Sequence, residues 1–221
     1  MIKTKDFFTD LLKGAQSEKT LYNLSLSLDQ ETAERFLSLL SLCHEFRKIP
    51  IHAPTPLMAL TRLQWWKQQL DGSAPIKNSS PNIKWCQLTW QNHYSCLSKL
   101  LISFIKQQQK IWSVELEKTS EISSTSLIEF IFKGMNLLVD PALTDQDIKN
   151  LANLYVSVHY SERSPHTITQ TFSTPLPPIF RKLCYILNQQ FIDQSKDVKG
   201  ISSALRIQWY LLKYAITKLW R

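Results

Sequence analysis

Apolar residues recur along most of this chain at intervals of three and four, which is the spacing of one face of an α-helix. Between residues 21 and 47 the repeat consists of Leu21, Leu24, Leu28, Phe36, Leu39, Leu40, Cys43 and Phe46. The same spacing predicts helices over about residues 17–27, 30–47, 55–70, 84–113, 116–139, 144–160, 178–192 and 202–220. In the helix of residues 84–113 we expect the apolar side to carry Trp85, Leu88, Cys96, Leu100, Leu101 and Ile105.

Local signals mark where several of these helices begin. Asp29 is a good N-cap for the helix that follows it. Pro56 after Thr55 suits the first position of a helix, and Thr144 is an N-cap followed by acids in the first turn. These positions predict three helix starts independently of the apolar repeat.

Proline and polar stretches predict the breaks. Pro50, Pro54 and Pro56 lie close together, and we expect them to form a stiff loop without continuous helix. Residues 73–82 and 161–175 are polar and irregular, and they are predicted linkers. They are short enough to leave residues 1–221 as a single domain.

Composition supports an all-α fold. The 221 residues contain only 4 glycines, and glycine is the usual residue of tight turns and hairpins. We therefore predict an all-α, single-domain bundle of about seven to nine helices. No stretch approaches ~18 consecutive apolar residues, so we expect no membrane span.

The net charge is +8, from 26 Lys and Arg against 18 Asp and Glu. This excess favours an anionic partner, such as an acidic protein surface, a diphosphate group or an anionic membrane. Because no run of five or more basic residues occurs, we expect no nucleic-acid partner. The four cysteines form no C-x-x-C pair, which is typical of a reduced, cytoplasmic protein.

The residues form no convincing catalytic or metal-binding motif. Acidic pairs at four-residue spacing are Asp6 and Asp10, Glu117 and Glu121, and Asp193 and Asp197. One or two such pairs are expected by chance, and a metal needs several convergent ligands. The five histidines are scattered, and no nucleophile elbow or phosphate loop is present. We therefore assign no catalytic residue, cofactor site or metal site.

Three segments resemble the squalene/phytoene synthase family. They are residues 21–47, the helix Arg62-Leu63-Gln64-Trp65-Trp66-Lys67, and Leu176-Pro177-Pro178 together with Gln208-Trp209-Tyr210. Residues 116–124 are more weakly similar. The resemblance implies a shortened bundle of the isoprenoid-synthase type. The positions of this sequence that match the family's motifs are Tyr22, Arg35, Glu45, Arg62, Gln64, Trp65 and Trp66.

The two adjacent tryptophans have a purely structural interpretation as well. Neighbouring residues on a helix point ~100° apart, so Trp65 and Trp66 cannot share one narrow face. We expect them to wedge this helix between two partners in the core, since aromatic side chains mainly bury apolar surface. Arg62 is expected to bridge an acidic partner.

In the family, two facing D-x-x-x-D clusters hold Mg²⁺ ions against a prenyl diphosphate. Where the resemblance places the first cluster, this chain has Glu45 as its only acid, followed by the cations Arg47 and Lys48. Where it places the second, residues 151–164 hold no acid before Glu162. Since Mg²⁺ requires several hard oxygen ligands, both metal sites are predicted to be lost. Mg²⁺ would be a cofactor only if the chain were an active enzyme.

The resemblance therefore implies a non-catalytic member, closest to a proteobacterial and mitochondrial branch that assists assembly of respiratory complex I. We expect assembly or scaffolding of a membrane-associated complex, with a membrane-associated protein partner. One alternative is an active prenyl-diphosphate synthase, and another is a peripheral module that binds an anionic membrane surface or a prenyl lipid. The expected location is cytoplasmic or peripheral at the inner membrane, on the matrix side in a eukaryote.

Overall fold

The computed structural model describes residues 12–16, 18–53, 55–71, 79–114, 122–138, 143–160 and 176–195. These residues contain eight α-helices and no strand, which confirms the all-α prediction. The helices are α1 (Lys19–Ser25), α2 (Gln30–His52), α3 (Pro56–Leu70), α4 (Pro81–Trp90), α5 (Tyr94–Val114), α6 (Ser124–Asn136), α7 (Asp145–Tyr160) and α8 (Pro178–Ser195). None of the described helices is both long enough and apolar enough to cross a membrane.

Helix α2 lies at the centre of the bundle, where it contacts α1, α3, α4 and α6. Around it, α3 packs on α5, α6 packs on α7, and α7 packs on α8. Leu39 and Leu40 of α2 share one buried core with Leu63 and Trp66 of α3, as the apolar repeat predicts. The core is therefore organised around one long helix whose neighbours pair with each other.

The predicted helix starts at residues 29, 55 and 144 are confirmed. The Asp29 carboxylate accepts a hydrogen bond from the backbone N–H of Thr32 at 3.0 Å. The Thr55 hydroxyl accepts one from Met58, with Pro56 at the first helical position. The Thr144 hydroxyl accepts one from the backbone N–H of Asp147 at 3.2 Å. Each bond satisfies an N–H group that has no partner within its helix.

The predicted loop at Pro50 is wrong, because α2 continues through Pro50 to His52. A proline this close to a helix end removes a single intrahelical hydrogen bond and leaves the earlier turns intact. Phe46 and Ile49, which precede Pro50 on α2, are buried at 0% and 3% exposure. Their packing in the core stabilises the last turn of the helix. Pro54 lies outside the described residues.

The predicted continuous helix of residues 84–113 is also wrong. It begins earlier, at Pro81, and it is interrupted by a 3₁₀ turn at Gln91–His93, where Gln91 has a φ of +32°. Trp90 is fully buried and its indole N–H bonds to α2, whereas α5 packs on α3. A straight helix could not follow both partners, so the chain turns between them.

Because of this turn, the apolar repeat of α5 does not continue the apolar repeat of α4. Leu88, expected on the apolar side, is 70% exposed, and Cys96 is also exposed. Cys96 lies beyond the break, so the apolar repeat of α4 does not predict its side of α5. Leu88 lies before the break, on the side of α4 away from the buried Ile83 and Cys86.

Other predictions lie wholly or partly outside the described residues. Residues 116–121 and 202–220 are not described, nor are the pairs Asp6 and Asp10, and Glu117 and Glu121. The linker predicted at 161–175 lies outside as well. Of the linker predicted at 73–82, only the last residues are described, and there Ser80 caps α4 at Asn82.

Candidate functional site

Two of the family-motif positions lie at the junctions of α1, α2 and α4. Tyr22 is half-buried, and its hydroxyl accepts a hydrogen bond from the Gln16 side chain at 3.4 Å. The guanidinium of Arg35 donates to the backbone carbonyl of Thr89 at 3.1 Å and pairs with Glu31 one turn earlier on α2. Arg35 thereby ties α2 to α4, which is a structural role.

Glu45, the one acid at the first family metal position, is bound to a cation. Its carboxylate accepts a hydrogen bond from the ammonium of Lys48 at 2.9 Å, and both side chains are more than a third exposed. An ion pair this exposed contributes little to stability. Its location means that Glu45 lies on the surface of α2 beside a positive charge, which does not suit Mg²⁺ binding.

A second acid, Glu18, is buried at the centre of an ionic cluster. Its side chain is 8% exposed and contacts the Arg47 guanidinium at 2.5 Å. The other carboxylate oxygen accepts a hydrogen bond from the Tyr155 hydroxyl at 3.0 Å. The ring of His159 packs against the ring of Tyr155, with centroids 4.4 Å apart and the planes tilted by 52°. We call Glu18, Arg47, Tyr155 and His159 the Glu18 cluster; it joins the start of α1 to α2 and α7.

His159 of this cluster and the nearby His44 both have a lowered pKa, which favours their neutral form. Burial, followed by the nearby charge of Lys48, lowers the pKa of His44. Burial also lowers the pKa of His159, against an opposing effect of Glu18. His44 Nδ1 and His159 Nε2 are buried and have no hydrogen-bond partner in the described part of the chain. The cluster therefore balances its charge chiefly between Glu18 and Arg47.

These side chains do not fit the Mg²⁺ ions of the prenyl synthases. Glu18 is bound to Arg47, and Glu45 is bound to Lys48. Within the described ranges, no three His, Cys, Asp or Glu side chains come together in a group that could hold a metal ion. Because Mg²⁺ is held by several convergent oxygens, these paired carboxylates do not suit it.

The Trp-Trp helix only partly matches its prediction. Trp66 is 7% exposed and packs edge-on against Phe46, with ring centroids 5.3 Å apart. Trp65 is 41% exposed and contacts the edge of Trp66. The expected wedge is therefore wrong for Trp65, because the core covers only one side of α3.

The remaining motif positions also lie on the outside of α3. Gln64 is exposed, and its side-chain oxygen accepts a hydrogen bond from Gln109 of α5 at 3.3 Å. Arg62 is exposed and forms no ion pair with any described residue, so the acidic partner expected for it is not found within that part of the chain. Both side chains are available at the surface.

The exposed side of α3 and α5 is unusually apolar. Large exposed hydrophobic side chains there are Leu57 at 71%, Met58 at 45%, Trp65 at 41% and Ile111 at 37%. Between the two helices runs an open trough of about 620 Å³, lined by Leu60, Thr61, Gln64, Gln109, Lys110 and Ser113. We call this surface the α3–α5 face.

The positive charge of the protein is concentrated in the same part of the chain. Residues 46–114 contain nine Lys and Arg and a single acid, Asp71, so their net charge of +8 equals that of the whole chain. Helices α3, α4 and α5 themselves contain no Asp or Glu. Residues 1–45 carry a net charge of −2 and residues 115–221 carry +2, so the two flanking parts cancel and the protein is strongly asymmetric in charge.

A small recess lies between α5 and α6 and is too small for a prenyl chain. Its volume is about 50 Å³, and it is lined by Leu100, Ser103, Phe104, Gln107, Ser126, Glu129, Phe130 and Lys133. Pockets that hold small-molecule ligands usually measure roughly 300–1,000 Å³. Glu129 and Lys133 form an ion pair at 2.9 Å at this recess, so its charges are also balanced.

Sequence reasoning identified neither the Glu18 cluster nor the α3–α5 face. Glu18 and Tyr155 are 137 positions apart, and no local pattern connects them. The charge asymmetry, in contrast, is readable from the sequence once charges are counted by segment.

No family model, curated protein or solved structure matches this chain. Membership of the squalene/phytoene synthase family and the isoprenoid-synthase type of bundle therefore stay predictions from the sequence motifs.

Proposed function

We propose that this chain is a non-catalytic relative of the squalene/phytoene synthases that assists the assembly of, or scaffolds, a membrane-associated complex. Respiratory complex I is the complex that the resemblance suggests. In this proposal the protein acts by binding, peripherally at a membrane, and its partner is a membrane-associated protein. The main observation in favour of this proposal is that Glu45, which matches the family's first metal position, is paired with Lys48.

The neighbourhood of that position supports a structural role. Two residues further along α2, Arg47 forms an ion pair with Glu18. Glu18 also accepts a hydrogen bond from Tyr155 of α7. A cation at this place would repel a metal ion by about 1 kcal/mol or more at a few ångströms, depending on exposure. The same arginine instead links three parts of the bundle, so the position contributes to the fold.

The distribution of charge supports a binding function. Residues 46–114 carry a net charge equal to that of the whole chain, and a segment this basic steers the protein toward anionic surfaces and orients it when it arrives. The alternative of an active prenyl-diphosphate synthase would need acids free to hold Mg²⁺, whereas Glu45 is paired with Lys48. The alternative of a lipid-binding module is compatible with scaffolding and is developed below.

The test is genetic complementation with a native-gel readout. We expect a strain lacking the gene to lose one membrane complex on native electrophoresis, and the wild-type gene to restore it. A Glu45→Gln variant should restore it equally, because the ion pair of Glu45 is with Lys48 and both side chains are more than a third exposed. Failure of a stably folded Glu45→Gln variant to restore the complex would contradict the proposal, as would an unchanged complex profile in the deletion strain.

A further inference from the structure

We propose that the α3–α5 face binds directly to an anionic phospholipid surface. This inference rests on the proposed function, since it names the surface at which the protein would scaffold its complex. The apolar side chains Leu57, Met58 and Trp65 would enter the headgroup region, and Arg62 and Lys110 would contact lipid phosphates.

The helical spacing of α3 places apolar and cationic side chains next to each other on its exposed surface, which is the arrangement that binding to an anionic membrane requires. Successive residues of a helix are turned by about 100°, so Met58, Arg62 and Trp65, at i, i+4 and i+7, form one stripe. Leu57 lies next to that stripe around the helix, on the side of α3 opposite the buried Trp66. The apolar surface therefore continues across the outward side of the helix.

Cations flank the apolar surface. Arg62 lies within the stripe, and across the trough α5 presents exposed Lys106 and Lys110. No acid occurs within α3, α4 or α5 to repel a phosphate, and Asp71 directly follows α3. Charge complementarity therefore favours an anionic occupant over a neutral one.

The shape of the face favours lipid over an acidic protein. Protein interfaces anchor large side chains in fitted pockets, surrounded by polar groups of both signs. Here the large apolar side chains project outward from a convex helix, and the adjacent trough is broad and open. Trp65 has its ring partly buried against Trp66 and partly exposed, an arrangement suited to the boundary between water and lipid.

The first experiment measures co-sedimentation of the full chain with phosphatidylcholine vesicles that contain or lack phosphatidylglycerol. We expect binding to the anionic vesicles only. Raising the salt from about 0.1 M to about 1 M should weaken it strongly, because the screening length falls from about 10 Å to about 3 Å. Equal binding to both kinds of vesicle would overturn the electrostatic part of the inference.

Charge variants locate the surface. Each cation near an anionic bilayer contributes enough that Arg62→Gln and Lys110→Gln should each weaken partitioning on the order of fivefold. Lys149→Gln is the matched control, since Lys149 is equally exposed but lies on α7. An equal loss in the control would mean that net charge alone, and not this face, governs binding.

Apolar variants test insertion. Leu57→Ser should weaken binding by about fivefold to tenfold, because Leu57 is 71% exposed and would lose its transfer into lipid. Leu26→Ser is the control, as Leu26 is 57% exposed but follows α1. Neither side chain belongs to the core, so both variants are expected to fold.

Trp65 provides a direct signal. It is the described tryptophan with a large exposed fraction, while Trp66, Trp85, Trp90 and Trp112 are buried. Vesicles containing brominated lipid should quench part of the fluorescence, and Trp65→Phe should abolish that part while retaining binding. Binding to vesicles with quenching unchanged in Trp65→Phe would overturn the proposed orientation.

The two proposals fail separately. If the native-gel complementation succeeds but the wild-type chain does not bind anionic vesicles, the lipid inference is wrong and the α3–α5 face binds a protein partner. If vesicle binding behaves as expected but the deletion strain retains its membrane complexes, the lipid inference stands and the scaffolding function is wrong.

Discussion

Replacing Arg47 with leucine should destabilise the protein through the buried Glu18. The Glu18 side chain is 8% exposed, and Arg47 contacts it at 2.5 Å while Tyr155 donates to it at 3.0 Å. Arg47→Leu removes the positive charge and leaves a buried carboxylate beside a neutral hydroxyl. A charged carboxylate is well solvated in water, but burying it without a cationic partner lowers the stability of the folded protein.

The size of the effect follows from burial. Removing one partner of a buried ion pair typically costs about 3–5 kcal/mol. Arg47 is itself 30% exposed, and the Tyr155 hydroxyl remains, so we expect about 2–3 kcal/mol. The second variant is Glu18→Gln combined with Arg47→Leu. It should recover a large part of this loss, because no unpaired charge is then left in the interior.

Urea denaturation at neutral pH measures these differences, provided the slope of the transition stays constant between variants. Lys48→Leu is the matched control, since it breaks the exposed pair with Glu45 and should cost less than about 1 kcal/mol. If Arg47→Leu is no more destabilising than Lys48→Leu, the ion pair between Arg47 and the buried Glu18 does not stabilise the fold, and the prediction is refuted. It is equally refuted if the double variant is less stable than Arg47→Leu alone.

Three further predictions concern the fold. Trp66→Ala should cost roughly 3–5 kcal/mol, while Trp65→Ala should cost much less, since only Trp66 is buried; similar thermal midpoints in both would contradict this. Asp29→Ala should cost about 1 kcal/mol at neutral pH. The bond to Thr32 lowers the pKa of Asp29, so this difference is present above the ordinary carboxyl pKa and should vanish as acid protonates the cap; a pH-independent difference would exclude the cap. Gly134→Val should destabilise, because an added Cβ would lie 2.4 Å from Leu39, and normal stability would show that this side chain can move aside.

The features that the sequence predicts well are local. The caps at Asp29, Thr55 and Thr144 depend on residues within one turn, and the structure places each as predicted. The shared core of Leu39 and Leu63 follows from the apolar repeat, because a long amphipathic helix must bury its apolar side somewhere. For these residues, neighbours in the chain supply most of the physical information.

The features that it misses depend on packing between distant helices. The break at Gln91 arises because Trp90 binds α2 while α5 follows α3, and neither Gly nor Pro marks it in the sequence. The continuation of α2 through Pro50 depends on burial of Phe46 and Ile49. Exposure of Trp65 depends on which side of α3 the bundle covers. Each outcome is decided by a contact that the local pattern does not contain.

The candidate site divides in the same way. The family-motif residues Glu45 and Arg62 could be named from spacing, but their surroundings could not be foreseen. The Glu18 cluster joins side chains 137 positions apart, so it becomes visible only in the folded chain. The α3–α5 face combines both kinds of information, since its charge is evident in the sequence and its exposed apolar side chains are evident only in the structure.

The most direct test of binding without catalysis is an assay for pyrophosphate release. The purified chain would be incubated with Mg²⁺ and either farnesyl or geranylgeranyl diphosphate. Because Glu45 is paired with Lys48, and Arg47 with Glu18, we predict no release above that of protein-free buffer. Turnover by the wild-type chain that disappears in a folded Glu45→Gln variant would contradict the account and establish an active prenyl-diphosphate synthase.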